Sequence, residues 1–325
     1  MRHSSLGRFN RFASLAVLPV MLLAILAFSR QAQRQPAVPA PAEGILAVAS
    51  LRSGQLTLFD LARGETRALA LPAAPHELEV RGARLYATLT RADALVELDP
   101  RAPGILRRVV LPGRPHGLAF DPAAGVLYVT LDDANALVAL DAASLAEIAR
   151  WATGETPHAV ALADGVPYVA AARAGRVEAV RPSGGAAAAS GRLPESLAAA
   201  DGLLLAADYL GGTLHLFEPA TLQPAGAVHL GGGPVRILGL GGGMAAVALQ
   251  DAGQVAIVDL ARRQVVRRLD VPPRPDGLCV SPSGAYLAVA SNGAAAVTVF
   301  EMASWRVAAR YAVPEGPGAC AWLAD

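Results

Sequence analysis

From residue 45 onward the chain alternates short apolar runs with polar turns, and this pattern recurs with a steady period. A proline precedes one apolar run in each repeat, at Pro75, Pro115, Pro157, Pro194, Pro234, Pro275 and Pro317. A second marker, an alternating apolar segment closed by a polar residue, ends at Asp60, Asp99, Asp141, Arg181, Glu218, Asp259 and Glu301. Two markers that share one period of about 40 residues and one count predict seven copies of one structural unit.

Each unit contains four strand-like runs. In the third unit they are "HGLAF", "VLYVTL", "ALVAL" and "EIARWAT", separated by "DPAAG", "DDAN" and "DAAS". Alternation of apolar and polar residues with Asp, Asn, Gly and Pro in the turns indicates antiparallel strands joined by tight connections. Four strands in each of seven repeats predict an all-β fold, a seven-bladed β-propeller.

The two ends of the repeat region predict how the ring closes. The first strand, "ILAVAS" at 45–50, matches the second strand of a unit, whereas "PGACAWLAD" at 317–325 matches a first strand with no unit after it. We therefore expect the C-terminus to supply the inner strand of the first blade, which leaves no inner strand unpaired.

The segment "RPHGLAFDPAAGVLYVTLDDANALVALDAASL" resembles the YVTN-family β-propeller repeat, whose hallmark strand is nearly literal in "LYVTL". The resemblance covers residues 45–325 and is strongest in units two, three, six and seven. Unit four departs from it, with the poor outer strand "GGAAAASGRL" and Arg181 in place of an acidic turn residue, and unit five is also degenerate. The resemblance implies a seven-bladed propeller, often exported, and transfers no catalytic motif.

Residues 1–30 differ from the repeats. Three arginines precede an uncharged, mostly apolar run at 12–28, and Arg30 follows it. This pattern predicts an N-terminal hydrophobic helix that is either a cleaved signal peptide or a retained membrane anchor. Residues 31–44 are a Pro/Ala-rich linker, and residues 45–325 are the propeller. We expect the propeller to be periplasmic or extracellular.

Composition excludes several function classes. The 28 basic residues, all arginine, nearly balance 27 acidic ones, which argues against nucleic acid as a partner. The absence of lysine excludes a P-loop lysine, a Schiff base and a lysine general base. The sequence contains no CxxC, HExxH, GxSxG or EF-hand motif and names no cofactor. Nothing in it specifies an oligomeric state.

Ionisable residues concentrate in two sets of loops that a propeller places on one face, around the channel mouth. The loops before the first strands contribute His76, Arg114, His116, His158, Arg274 and Asp276. The loops between second and third strands contribute Arg52, Arg91, Asp132 and Arg173. A polar funnel that converges on a channel is a reasonable ligand site, so these ten residues are the predicted ligand-binding residues.

Three successive units carry Pro-His, which places His76, His116 and His158 at equivalent positions on adjacent blades. Three neutral imidazoles could bind zinc or copper with one position open. The interpretation we favour is structural, with each ring ordering its loop by a backbone hydrogen bond. We therefore predict no metal ligands.

The preferred function is an exported, non-catalytic propeller that binds a small molecule or a protein partner through the channel-mouth face. One alternative is a lactonase-like hydrolase or lyase that uses His, Arg or Glu at the mouth, with or without a metal. The other is a structural surface repeat protein. A carboxylate with a shifted pKa beside His116 would favour the enzyme.

The two cysteines, Cys279 and Cys320, lie on the innermost strands of blades seven and one, which are neighbours across the closure. Their offset from the repeat prolines differs by one residue, so they point to opposite faces of their own blades. They either meet in one interface, where a disulfide could form, or point away into two different interfaces. The pattern leaves both alternatives open.

Overall fold

The computed structural model describes residues 38–102, 104–181 and 183–325, and the repeats form one compact unit over Ala40–Asp325. The predicted hydrophobic helix and the first half of the predicted linker, residues 31–37, lie outside the described residues. Within the described ranges, no helix is long and apolar enough to cross a membrane.

Seven four-stranded antiparallel sheets make up the unit, as the repeat count predicted. Blades two to seven each use four consecutive strands, and a short 3-10 helix, Thr90–Ala92, interrupts blade two. The strands are β1 (Ile45–Ser50), β2 (Gln55–Asp60), β3 (Glu65–Ala70); β4 (Leu78–Arg81), β5 (Arg84–Leu89), β6 (Ala94–Leu98), β7 (Ile105–Val110); β8 (Pro115–Asp121), β9 (Val126–Leu131), β10 (Ala136–Asp141), β11 (Glu147–Ala152); β12 (Pro157–Ala163), β13 (Val166–Ala171), β14 (Arg176–Ala179), β15 (Ala187–Ala189); β16 (Pro194–Ala200), β17 (Leu203–Asp208), β18 (Thr213–Phe217), β19 (Pro224–His229); β20 (Pro234–Gly241), β21 (Met244–Leu249), β22 (Gln254–Asp259), β23 (Gln264–Asp270); β24 (Pro275–Val280), β25 (Tyr286–Ser291), β26 (Ala296–Glu301), β27 (Arg306–Ala312); and β28 (Pro317–Leu323).

Blade one closes the ring as predicted, because its strand order is β28-β1-β2-β3. The C-terminal strand pairs antiparallel with β1, with Leu46 opposite Trp322. The Trp322 indole N–H also donates to the carbonyl of Glu43 at 2.9 Å, which ties the start of the ring to its end.

A disulfide joins Cys279 on β24 to Cys320 on β28, so the two thiols meet in one interface. Their Cα atoms are 5.8 Å apart. This is shorter than the roughly 10 Å between packed sheets because the innermost strands converge toward the axis. The bridge therefore links blade seven to blade one beside the strand closure.

Middle strands are buried on both faces, which explains their unbroken apolar runs. On β5, Leu85 packs in the core between blades one and two, whereas the adjacent Tyr86 packs against blade three. Residues of the outermost strands alternate in burial instead. On β7, for example, half-buried residues alternate with exposed ones. Blade four has the shortest outer strand, β15, where the sequence pattern is also poorest.

The two loop sets do share one face. The amide of Asp132 donates to the carbonyl of Arg114, and the amide of Asn292 donates to that of Arg274. Each bond joins the loop between second and third strands to the residue just before the repeat proline. Polar side chains of both loop sets therefore surround one mouth of the axial channel.

Candidate functional site

A cavity of about 240 Å³ lies on the axis of the ring. The innermost strands of all seven blades line it, so no single blade contains the site. Most of the lining is backbone and small apolar side chains. The ionisable side chains that line it are Glu77, Glu79, His158, Glu195 and Arg236.

The centre of the site is an ion pair that crosses the channel. Arg236 of blade six donates two hydrogen bonds to the Glu77 carboxylate, each 2.8 Å long, and a third to Asp276 at 3.4 Å. Burial alone would raise the pKa of Glu77, but Arg236 and His76 hold it well below its usual range. Burial would likewise lower the pKa of Arg236, yet Glu77 and Asp276 raise it. Glu77 is therefore ionised and Arg236 charged.

Glu79 has the opposite character. Glu79 on β4 and Glu77 just before that strand line the same cavity. Burial and the negative charge of Glu77 raise the pKa of Glu79 to about 8. One carboxyl of the cavity is thus ionised and its neighbour largely protonated at neutral pH.

The three Pro-His imidazoles form a stack beside this ion pair. Ring centroids of His76 and His116 are 3.9 Å apart, and those of His116 and His158 are 3.8 Å apart. The His116 Nδ1–H donates to the His158 carbonyl at 2.8 Å, and the His158 Nδ1–H donates to the Glu195 carbonyl at 3.0 Å. The predicted backbone hydrogen bond is confirmed for these two rings, and it joins neighbouring blades.

His76, the end ring of the stack, lacks that bond. The carbonyl that would receive it, on His116, accepts from the Thr88 hydroxyl at 3.0 Å instead. Among the described residues, the buried Nδ1 atom of His76 has no hydrogen-bond partner, and it lies 3.7 Å from a Glu77 carboxylate oxygen. This is too long for a hydrogen bond. An unsatisfied ring nitrogen therefore faces the ionised carboxylate.

His158 presents a related arrangement. Its Nδ1 donates to a carbonyl, and its Nε2 lies 3.2 Å from the Glu195 carboxylate. A neutral ring would then direct a lone pair at a negative oxygen. The contact is favourable when a proton or another cation lies between the two atoms.

The structure divides the ten predicted ligand-binding residues into two groups. His158 lines the cavity, Asp276 contacts Arg236 behind it, and His76 and His116 complete the imidazole stack. Asp132 is buried at the mouth with one carboxylate oxygen unpartnered among the described residues, and burial raises its pKa. The remaining five are exposed on the surrounding surface and do not line the cavity: Arg52, Arg91, Arg114, Arg173 and Arg274.

Four residues of the cavity escaped the sequence reasoning: Glu77, Glu79, Glu195 and Arg236. The repeat alignment carried a signal for three of them. Glu195 directly follows its repeat proline, as the three histidines do, and Glu77 and Arg236 share the next offset. A comparison of equivalent positions around the ring, rather than of ionisable loops, would have found them.

Fold and site together define the protein as a seven-bladed β-propeller with a polar, charged axial cavity. No protein-family profile and no curated protein sequence matches the chain. Solved structures share its fold. A functionally unknown protein from Desulfotomaculum acetoxidans DSM 771 aligns with TM-score 0.75 and 14% identity over 86% of this chain and 99% of that one.

Two further structures are similar. Apo AztD from Citrobacter koseri aligns with TM-score 0.64 and 11% identity, covering 86% of this chain and 98% of its own. Virginiamycin B lyase from Staphylococcus aureus aligns with TM-score 0.65 and 14% identity, covering 79% of this chain and 95% of its own. At such identities the likeness establishes the fold alone. The same fold serves proteins of different function.

Proposed function

We propose that this protein is an exported, non-catalytic β-propeller that binds a small cationic ligand in its axial cavity. The observation that carries the proposal is the charge of the cavity. Glu77 and Glu195 line the cavity, and Asp276 contacts its single guanidinium, Arg236. Among these groups three carboxylates face one guanidinium, so acidic side chains outnumber the basic one by two.

Size supports a small ligand rather than a protein. The cavity volume of about 240 Å³ is below that of a pocket for a drug-sized molecule, roughly 300–1,000 Å³. The Glu195 carboxylate, which faces His158 at 3.2 Å, would pair with the positive charge of the ligand. A protein partner at the exposed arginines of the mouth is the competing form of the proposal.

Calorimetry with two probes of matched length tests the charge preference. We expect putrescine to bind the full-length protein and succinate to bind at least tenfold more weakly. Glu195→Gln should weaken putrescine binding. The control is Glu155→Gln, because Glu155 lies on the same face but is exposed and pairs with Arg173. Tighter binding of succinate than of putrescine would contradict the proposal.

The second candidate is a hydrolase or lyase that uses acid–base catalysis. It is favoured by two carboxyl groups of blade two, Glu79 on β4 and Glu77 just before that strand. Two neighbouring carboxyl groups, one protonated and one ionised, are an arrangement that enzymes use for general acid and general base catalysis. Glu79 would be the acid, and Glu77, paired with Arg236, would be the charged partner. The test compares the rates at which the native protein and Glu79→Gln convert a panel of lactones. Equal rates for the two proteins would eliminate this candidate.

Membership of the YVTN-type propellers and export are part of the same proposal. The first rests on the nearly literal "LYVTL" segment, which forms most of β9. The second rests on the apolar run at 12–28 and the arginines before it. Protease added to spheroplasts should digest the propeller, whereas protection until lysis would count against export.

A further inference from the structure

We propose that His76, Glu77 and His116 form a binding site for one divalent transition-metal ion, with zinc as the best match. The inference goes beyond the proposed function, because the metal site shares only Glu77 with the axial cavity. One nitrogen from each ring and one carboxylate oxygen lie within 4.8 Å of one another. Two imidazoles and a carboxylate, with a fourth position open, are a ligand set that zinc commonly takes.

His116 is held as a metal-binding histidine usually is. Its Nδ1–H donates to the carbonyl of His158, which orients the ring and leaves the Nε2 lone pair free. A backbone carbonyl is one of the common partners for the second nitrogen of a metal ligand. The side chain is only 3% exposed, so the ring is fixed inside the protein.

His76 and Glu77 supply the other two donors. The buried Nδ1 of His76 is unpartnered among the described residues and lies 3.7 Å from a Glu77 oxygen. Arg236 holds that carboxylate from the far side with two hydrogen bonds of 2.8 Å. A cation between the ring and the carboxylate would satisfy the orphan nitrogen and use the remaining lone pairs of Glu77.

The donor set also selects the class of metal. Zinc with ligand bonds of about 2.1 Å needs ligand atoms roughly 3.4 Å apart, so the site must contract from its present spacing. Rotation of His76, whose ring is the end of the stack, can supply this movement. Calcium and magnesium prefer oxygen ligands and several carboxylates. This site has a single carboxylate, Glu77, which is already paired with Arg236. Metals that prefer imidazole ligands are therefore favoured.

The experiment is a zinc titration of tag-free, chelator-treated protein in competition with a chromogenic zinc chelator. We expect one Zn²⁺ per chain, with no displacement by excess Mg²⁺ or Ca²⁺. His76→Ala should weaken binding at least about tenfold, which is the lower end of the loss caused by removing an outer partner of a metal ligand. The matched control is His229→Ala, because His229 is exposed on blade five. Circular dichroism confirms that each variant folds.

Cobalt gives an independent measurement on the unaltered protein. Bound Co²⁺ should show the visible absorption of a four-coordinate nitrogen and oxygen site, and Zn²⁺ should abolish it. Unchanged zinc affinity in His76→Ala would overturn the inference, as would the absence of saturable zinc binding. If zinc fails but putrescine binds, only the metal assignment falls. If neither binds, the proposed function falls as well.

Discussion

At the residue scale, the mouth of the channel is built from strained backbone. Three residues that precede repeat prolines have left-handed φ angles: Arg114 at 58°, Thr156 at 55° and Arg274 at 57°. Side chains other than glycine rarely adopt this conformation, and a β-branched side chain does so least readily. Equivalent positions before Pro234 and Pro317 carry glycine. The loops therefore retain this conformation even where the residue opposes it.

Thr156→Gly should raise the free energy of unfolding by about 0.5–1 kcal/mol, because glycine adopts a positive φ without the steric cost. Chemical denaturation measures the change. The control is Thr153→Gly in the same loop, where φ is not positive and the substitution should destabilise. A loss of stability in the Thr156 variant equal to that in the control would contradict the explanation.

Glu79 gives the stability of the protein a pH dependence. Its pKa in the folded protein, about 8, lies above the ordinary value of 4.5, so the folded state holds this proton more tightly than the unfolded state. Its contribution is therefore most favourable below pH 4.5 and is lost progressively as the pH rises to about 8. Glu79→Gln should remove this loss.

We accordingly expect the stability advantage of Glu79→Gln over the unaltered protein to widen between pH 5 and pH 8. Urea denaturation at each pH measures it. Exposed Glu65→Gln serves as the control and should show no widening. A constant difference across the range would mean that Glu79 is not desolvated in the cavity.

At the element scale, the last strand, β28, contributes to closure of the ring in three ways. β28 supplies blade one with its inner strand, contributes Trp322 to the blade interface, and bears Cys320. We predict a graded series. Cys320→Ala should cost about 2–4 kcal/mol of unfolding free energy through loss of the bridge. Deletion of residues 317–325 should cost more, because the ring then opens.

Thermal unfolding under non-reducing conditions measures both variants. Reduction with dithiothreitol should lower the midpoint of the native protein to that of Cys320→Ala and leave the variant unchanged. If the deletion variant unfolds at the same temperature as the native protein, β28 does not close the ring.

The elements were largely predictable from the sequence, but the cavity was not. Repeat prolines and closing acids predicted seven blades and the C-terminal closure, because each marker recurs locally within one unit. The Glu77–Arg236 pair joins residues 159 positions apart, on blades two and six. No local pattern encodes a contact across the axis. The pairing of Cys279 with Cys320 could not be decided from the sequence for a similar reason. Alternation along a strand does not tell which of two blade interfaces a side chain enters.

At the scale of the whole molecule, charged residues occur in two places, on the exposed mouth and in the axial cavity. Exposed arginines of the mouth form local pairs, such as Arg114 with Asp133 at 3.1 Å, and exposed pairs contribute little free energy. Charges in the cavity are half-buried, with side-chain exposures of 14% for Glu77 and 24% for Arg236, and these two contact each other across the channel. Low dielectric strengthens electrostatic recognition there. Selective binding is therefore expected on the axis rather than on the outer mouth.

Native mass spectrometry of the protein isolated from its own host tests this location most directly. We predict one small cationic species per chain in the unaltered protein, reduced in Glu195→Gln and retained in the double variant Arg114→Glu/Arg274→Glu. The bound species is identified after release by denaturation. A bound anion, or a ligand lost from the arginine variant and retained in Glu195→Gln, would contradict the account.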